Sequence, residues 1–505
     1  MAQIKLGYST HPIALQTDKL NRHGIIAGAT GTGKTITLKV LAEQLSQAGI
    51  PVFLSDIKGD IMSIVDANSG EGLEDRLKAT HYDDYEPQGF PVHLWDVSGE
   101  SGIPLRMTVS EMGPVLLARL LGLNETQAGI LNIVFSVADE QGLLLIDLMD
   151  LRAMLNYVGE HAKELSGHYG NISKASIGVI LRSILVLENQ GGQQFFREPA
   201  IELDDFFSTD EQGRGYIHIL NAIKLYNQPI LYSTVLLALL SELFEQLPEV
   251  GDLDKPKMVF FFDEAHSLFK DTPKALVDKI EQVVRLIRSK GVGVFFVTQN
   301  PTDLPDSVSS QLGHRIQHGL RAYTPKEIRT IQSVAETFRQ DDSMDLPRVI
   351  QDLQVGEAVV SVLDSDGVPT SVEKAIIYPP MSKIGTIEPS RLLQVINQSD
   401  LMEKYGEMIN RESAHEVLQA LVKEQEEALI QAGQSAEVSE VPLDTPQKDS
   451  IFDTLKEAVT QSAQPKRRRN SDSPMDRFTK NMMSAVGREM GRAITRGVTG
   501  MFNHK

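Results

Sequence analysis

Cysteine is absent from all 505 residues, which removes disulfides, cysteine-ligated zinc, iron–sulfur clusters and thiol nucleophiles. Long apolar runs are missing too. The best candidate, within Ile230 to Phe244, is interrupted by Ser233, Thr234, Ser241 and Glu242. It falls short of the ~20 apolar residues that a bilayer span needs, and reads as a buried core helix. Met1 to Tyr8 carries one lysine and no apolar stretch, so no secretory leader is expected and the cytoplasm is the expected compartment. Basic charge is in short supply: 49 Lys and Arg against 68 Asp and Glu leave a net −19. A global polyanion binds nucleic acid poorly unless a local basic patch does the work. What remains is ordinary for a folded protein, 41% hydrophobic and 23% charged, and excludes collagenous, mucin-like or wholly disordered chains. The length suggests about three domains.

Periodicity divides the chain. Ile25 and Ile26 precede a glycine-rich loop, a helical pattern follows from Thr35 to Ala48, and Ile50 to Leu54 reads as a buried strand. Strand, loop, helix, strand opens a parallel α/β sheet. Residues 1–100 are therefore expected to form the first part of the core. Over 101–212 the chain turns leucine-rich with helical spacing, predicting an inserted, mainly helical domain. The core is expected to resume over 213–380, with strands at Tyr216 to Leu220, Met258 to Phe262 and Gly293 to Thr298. Ala358 to Leu363 and Ser371 to Ile377 read as a hairpin. A helical extension is expected over 381–433, and an acidic flexible linker over 434–465.

The run Gly28-Ala29-Thr30-Gly31-Thr32-Gly33-Lys34-Thr35, with Ile36 next, fits G-x-x-x-x-G-K-[ST]. Its glycines let successive N–H groups turn inward around phosphate oxygens. Lys34 would reach the β- and γ-phosphates, and Thr35 would offer a hydroxyl to Mg²⁺. The following helix adds its positive dipole end. At average composition the pattern arises by chance in ~2% of chains this long, and here it also lies between a strand and a helix. Asp263-Glu264 follow the apolar run Val259-Phe260-Phe261-Phe262. An acid at a strand's carboxyl end can hold Mg²⁺, assigned to Asp263, and the next carboxylate, Glu264, can act as general base. Asp263-Glu264-Ala265-His266 also spells the DEAH box of one helicase superfamily, but the Q-x-x-G-R-x-G-R run of its second motor domain does not occur. Gln299 ends the next strand, where a polar side chain can sense the γ-phosphate.

Taken with Asp56-Ile57-Lys58-Gly59-Asp60, Arg288-Ser289-Lys290-Gly291 and His314-Arg315-Ile316, these motifs resemble the HerA/FtsK class of P-loop ATPases, most closely a bacterial HerA-like branch. The resemblance covers about residues 1–380. It implies a RecA-like P-loop NTPase core with a mostly parallel sheet, ATP and Mg²⁺ as ligands, and a homo-oligomeric ring, usually a hexamer. It further implies double-stranded DNA translocation or unwinding, with a nuclease or other protein as possible partner. Arg288 or Arg315 would reach a neighbour's γ-phosphate as a catalytic arginine, with Arg22 a third candidate. Asp56, Lys58 and Asp60 would couple nucleotide to pore, or be solvated loop charges. A protein-pumping ATPase akin to type IV secretion motors and a nucleotide-dependent scaffold remain as alternatives. Only 27 residues precede Gly28, fewer than the β-barrel that archaeal members carry there.

Residues 466–505 hold ten basic and three acidic side chains, a local +7 on an acidic chain. Ser473-Pro474 opens a helical signal, and Met475, Phe478, Met482, Val486, Met490, Ile494 and Val498 recur every three or four residues. A basic amphipathic helix is expected, to bind nucleic acid, an anionic surface or the chain's own acidic body.

Overall fold

The computed structural model describes residues 3–251, 253–269, 274–339 and 344–436. Among them the strands are β1 (Gln3–Tyr8), β2 (Pro12–Gln16), β3 (Gly24–Ala27), β4 (Val52–Asp56), β5 (Val92–Asp96), β6 (Ile103–Pro104), β7 (Ile217–Asn221), β8 (Met258–Phe262), β9 (Val292–Thr298), β10 (His314–His318), β11 (Glu357–Ser361) and β12 (Glu373–Ile377). They form one sheet in the order β2-β1-β12-β11-β10-β3-β9-β8-β4-β7-β5-β6. From β10 to β6 every pairing is parallel. From β10 to β2 every pairing is antiparallel.

This two-part sheet follows from the residues. In β3, β4, β8 and β9 every residue is buried, because parallel strands are covered on both faces and tolerate no polar alternation. The helices Lys34–Gln47, Pro229–Gln246 and Lys274–Ile287 connect or flank these strands. The apolar stretch that seemed a core helix is one: Leu231 through Leu243 are all buried. Among the described residues no single helix is long and apolar enough to cross a membrane. The hairpin of β11 and β12 pairs Ala358 with Ala375. Four strands, β1, β2, β5 and β6, have no counterpart in the sequence reading. β1 and β2 close the antiparallel edge, with Gly7 of β1 opposite Ile377 of β12.

The chain divides into two compact units. The first contains the sheet, with the chain up to Thr108, Leu116–Leu123 and Ser183–Ile409. Its core includes Ile26, Leu41, Leu54, Phe261, Phe295, Val297 and Ile377, and it extends beyond the last strand to Met381 and Ile396. Glu43, fully buried on the helix Lys34–Gln47, accepts hydrogen bonds from the N–H groups of Met381 (2.7 Å) and Ser382 (3.1 Å). That bond fixes the segment after β12 to the sheet's own helix. The second unit contains Val109–Val115, Asn124–Arg182 and the described residues from Asn410 on. It is helical, with Glu125–Gln141, Leu148–Glu160 and Ala162–Tyr169. Reciprocal capping boxes at Asn124/Gln127 and Asp147/Asp150 start the first two of these helices. Asp150 Oδ1 also accepts the His415 N–H at 2.9 Å and the Ser413 hydroxyl, docking the helix Ala414–Ala436. That helix occupies residues 434–436 of the expected linker. The rest of the linker and the expected basic helix over 466–505 lie outside the described residues.

Candidate nucleotide site

β3 delivers the chain to Gly28 at the edge where the parallel strands end. Register places Ala27 beside Thr298 of β9 and beside Gln317 of β10, so Gly28 and Gln299 leave the sheet together next to His318, the last residue of β10. The loop demands glycine twice over. Gly28 has φ 152°, and a Cβ there would meet the His318 Cβ at 2.5 Å. Gly33 has φ 116°, with the Gly356 backbone 3.2 Å from any added Cβ. The helix Lys34–Gln47 then starts on Gly33 with no side-chain cap and no acid in its first turn. Its opening N–H groups, including those of Lys34, Thr35 and Ile36, are the kind of unfilled donors that anions occupy.

Lys34 turns back into the loop. Its ammonium donates to the carbonyls of Gly28 (2.7 Å) and Ala29 (3.1 Å). Burial pulls its pKa below the ordinary value, against the opposing pull of Glu264. Ala29 N–H donates to Gly319 O (3.0 Å), and Gly356 N–H donates to Thr32 O (2.9 Å), so the loop is bonded on its far side to the ends of β10 and β11. His318 sits beneath it. One ring nitrogen is 2.8 Å from the Thr37 hydroxyl and the other 2.8 Å from Glu357 O. Burial pushes His318 down to about 4, so it is neutral at pH 7.

Across the loop stand the acids. β8 is followed by Asp263 and Glu264, both buried. Glu264 takes a left-handed conformation (φ 47°, ψ 47°), and its N–H donates to Asp263 Oδ1 at 2.9 Å. The backbone strain of a non-glycine residue there re-aims the carboxylate at the sheet's edge. Glu264 Oε1 accepts from the Lys58 ammonium at 2.9 Å and from the Gln299 amide at 3.1 Å. Gln299 in turn accepts from the Thr30 hydroxyl at 3.2 Å. A continuous chain therefore runs from the phosphate loop through Thr30, Gln299 and Glu264 to Lys58. His266 Nδ1 lies 3.5 Å from the other Glu264 oxygen. Burial raises the Glu264 pKa, but Lys58 and Gln299 outweigh it and the net shift is downward. Asp263 goes the other way, pushed up to about 7 by burial and by Glu264. Neighbouring carboxylates are thus driven apart.

Lys58 reaches Glu264 because Asp56 folds its loop. The Asp56 carboxylate accepts from the N–H groups of Lys58 (3.1 Å), Gly59 (2.7 Å), Ile61 (2.9 Å) and Met62 (3.1 Å). Asp56 is an organiser of that turn, fully buried. The arginines stand elsewhere. Arg288 precedes the amino end of β9 and Arg22 that of β3, the ends opposite the phosphate loop. Arg315, second residue of β10 and aligned with Ile25, donates to Ser309 O at 2.9 Å. The chain therefore gathers Gly28 to Ile36, Asp263, Glu264 and Gln299 at one edge and leaves Arg288 and Arg315 away from it. The Lys58–Glu264 contact and the His318 support were not anticipated. The first joins residues 206 apart in sequence, and the second has no local motif beyond a strand-end histidine.

A mostly parallel sheet with a glycine-rich loop between β3 and its helix, and an acidic pair after β8, defines a RecA-like P-loop nucleoside-triphosphatase fold. The chain belongs to the family described as Helicase HerA-like C-terminal, which matches residues 2–505. It is 33% identical over 120 residues to a protein described as probable helicase MJECL08 of Methanocaldococcus jannaschii, a match spanning 23% of this chain and 21% of that one. Among solved structures it resembles the plasmid coupling protein TrwB with a non-hydrolysable GTP analogue: TM-score 0.51, 14% identity, 77% of this chain and 92% of that one. TrwB with an ATP analogue gives TM-score 0.51 and 15% identity over the same shares.

Proposed function

We propose that this chain is a Mg²⁺-dependent ATP hydrolase working as a hexameric ring motor in the cytoplasm, and that it translocates or unwinds double-stranded DNA. The observation that carries hydrolysis is Glu264. It is a buried, ionised carboxylate aimed at the edge where the phosphate loop ends, and it is linked to that loop through Gln299 and Thr30.

The residues divide the work. N–H groups of the loop and of the helix's opening turn, Lys34, Thr35 and Ile36 among them, hold the phosphates, while the Ala29 N–H stays on Gly319 O. The Lys34 ammonium exchanges the carbonyls of Gly28 and Ala29 for β- and γ-phosphate oxygens. The Thr35 hydroxyl and the buried Asp263 carboxylate are oxygen donors that suit a hard divalent cation. Mg²⁺ held by these two groups would neutralise charge on the phosphate oxygens. Glu264 orients water and takes its proton, and Gln299 reads whether a γ-phosphate is present. Arg288 or Arg315 acts on a neighbour's site, since both lie away from their own phosphate loop. The family description and the relative's name, both of which say helicase, support a nucleic acid as cargo. A nuclease or another protein is the proposed partner that uses the motion.

The test is the ATPase rate of size-fractionated protein with and without double-stranded DNA. Stimulation confined to the oligomeric fraction is expected. Turnover that ignores DNA of every length removes the DNA-motor reading and leaves the protein-pumping or scaffold alternatives.

A further inference from the structure

The two most exposed large apolar side chains among those identified in the described residues are Tyr323, 87% exposed, and Val355, 72% exposed. Both sit on loops bonded directly to the phosphate loop. Tyr323 lies four residues beyond Gly319, whose carbonyl accepts the Ala29 N–H (3.0 Å), and Val355 adjoins Gly356, whose N–H donates to Thr32 O (2.9 Å). Arg321 ties the two loops together, donating to Gln351 O and to Leu353 O, the latter at 2.9 Å. We infer that Tyr323 and Val355 form the seat of the nucleobase, Tyr323 stacking on the ring face and Val355 lining the seat. This rests on the ATP-binding reading above and adds to it the residues that would hold the base.

The sheet order sets the direction. Glu264 and Gln299 follow β8 and β9, on one side of β3. A nucleotide lying on the phosphate loop with its terminal phosphate toward them carries its nucleoside toward the other side. That side is β10 and β11, from which the loops of Tyr323 and Val355 spring. One side of the loop holds the acids; the far side offers Tyr323 and Val355, with Arg76 and Arg321 bonded to the carbonyls of the same loops.

The seat is built before any ligand arrives. The N–H groups of Tyr323 and Thr324 both donate to Glu327 Oε2 at 2.8 Å, and Thr324 caps the helix Pro325–Glu336 in a reciprocal capping box. The backbone of Tyr323 is therefore fixed while its ring stands in solvent. Beneath the loops lies an apolar cluster of Leu320, Ile331, Val334, Phe338, Ile350 and Leu353, against which Ala29 of the phosphate loop packs. With its backbone already held, the ring has only side-chain freedom to lose when a flat ligand covers it. Base–aromatic stacking tolerates any base, because every base has a π-face.

The decisive probes are ATP and inorganic tripolyphosphate, titrated by calorimetry into wild type, Tyr323→Ala and Tyr323→Phe, with sedimentation on the same samples. Tyr323→Ala should weaken ATP binding roughly tenfold while leaving tripolyphosphate affinity and oligomeric state unchanged. Tyr323→Phe should restore ATP affinity to within about twofold, since the ring is retained. Val355→Ser should weaken ATP by roughly threefold and tripolyphosphate not at all. ATP bound as tightly by Tyr323→Ala as by wild type overturns the seat and leaves the ATPase reading standing. Equal weakening of both probes overturns it in favour of a general loop defect. Loss of oligomer at unchanged ATP affinity assigns the surface to a second copy of the chain instead. A wild-type protein that binds neither probe removes the ATP reading, and the seat with it.

Discussion

The two ends of the parallel strands differ in the charges they present. At the carboxyl ends of β3, β8 and β9 the chain assembles a lysine, two carboxylates and an amide into one bonded chain. Toward the amino ends it carries guanidinium groups, Arg22 before β3 and Arg288 before β9, with Arg315 early in β10. In the proposed function the first end supplies the groups that bind a triphosphate and activate water. Its own arginines, Arg76 and Arg321, donate to the backbone carbonyls of Gly356, Ile377, Gln351 and Leu353 on the β11 side, not to the acids. Positive charge at the γ-phosphate is what phosphoryl transfer requires in its transition state. The difference suggests a site half supplied by each of two subunits, which the mutations below would break or sharpen.

The largest effects belong to the carboxyl end. Glu264→Gln should lower turnover by roughly 10³-fold while ATP still binds, because the base is lost and the phosphate contacts remain. Lys34→Ala should abolish binding and turnover together. Equilibrium binding and steady-state hydrolysis separate the two; normal turnover in Glu264→Gln would remove the base assignment. Next comes the amino end. Arg288→Ala or Arg315→Ala, whichever supplies the arginine, should cost about 10²-fold in turnover with ATP affinity nearly unchanged. Should neither change turnover, no arginine of this end acts in catalysis.

Lys58→Ala should have a middling effect. Its ammonium touches Glu264 and holds it ionised, so its loss should lower turnover about tenfold and alter ATP affinity less than twofold. A rise in basal turnover would instead make the ion pair a restraint on the base.

The smallest effect is on stability, and it spans both ends. His23, which precedes β3, and His318, under the phosphate loop, are both pushed down to about 4 by burial. Between pH 6.5 and 4 the unfolded chain binds protons that the folded chain refuses. Stability is therefore full above pH 6.5 and is lost as pH falls toward 4, on the order of 3 kcal/mol per histidine. Thermal unfolding from pH 7 to pH 4 should show this slope. His318→Gln should flatten it, whereas an unchanged slope would mean that His318 titrates alike in both states.

The legibility of the chain followed the range of its contacts. The phosphate loop could be read because phosphate binding needs glycines, Lys34 and Thr35 within eight consecutive residues. β8 and β9 could be read because parallel strands are continuous apolar runs, as in Val259–Phe262. β1 escaped although Gln3–Tyr8 alternates in polarity, because the stretch is only six residues long and one of its two partners, β12, lies some 370 residues away. β5 escaped because His93 interrupts its apolar run, and the structure stacks that ring on Tyr216 at 4.1 Å instead of exposing it. The triad of Lys58, Glu264 and Gln299 had its members in view separately. Only the sheet order, which sets β4 beside β8 and β8 beside β9, brings them together.

Complementation between mutant subunits tests the shared-site account most directly. Glu264→Gln subunits keep their arginines, and subunits lacking the active arginine, Arg288 or Arg315, keep Glu264. Mixed in equal amounts and allowed to exchange, they should hydrolyse ATP well above the mean of the two separate mutants, because intact Glu264 then faces an intact neighbouring arginine. Turnover equal to that mean at every mixing ratio, in verified mixed oligomers, would contradict the account and place the whole site within one subunit.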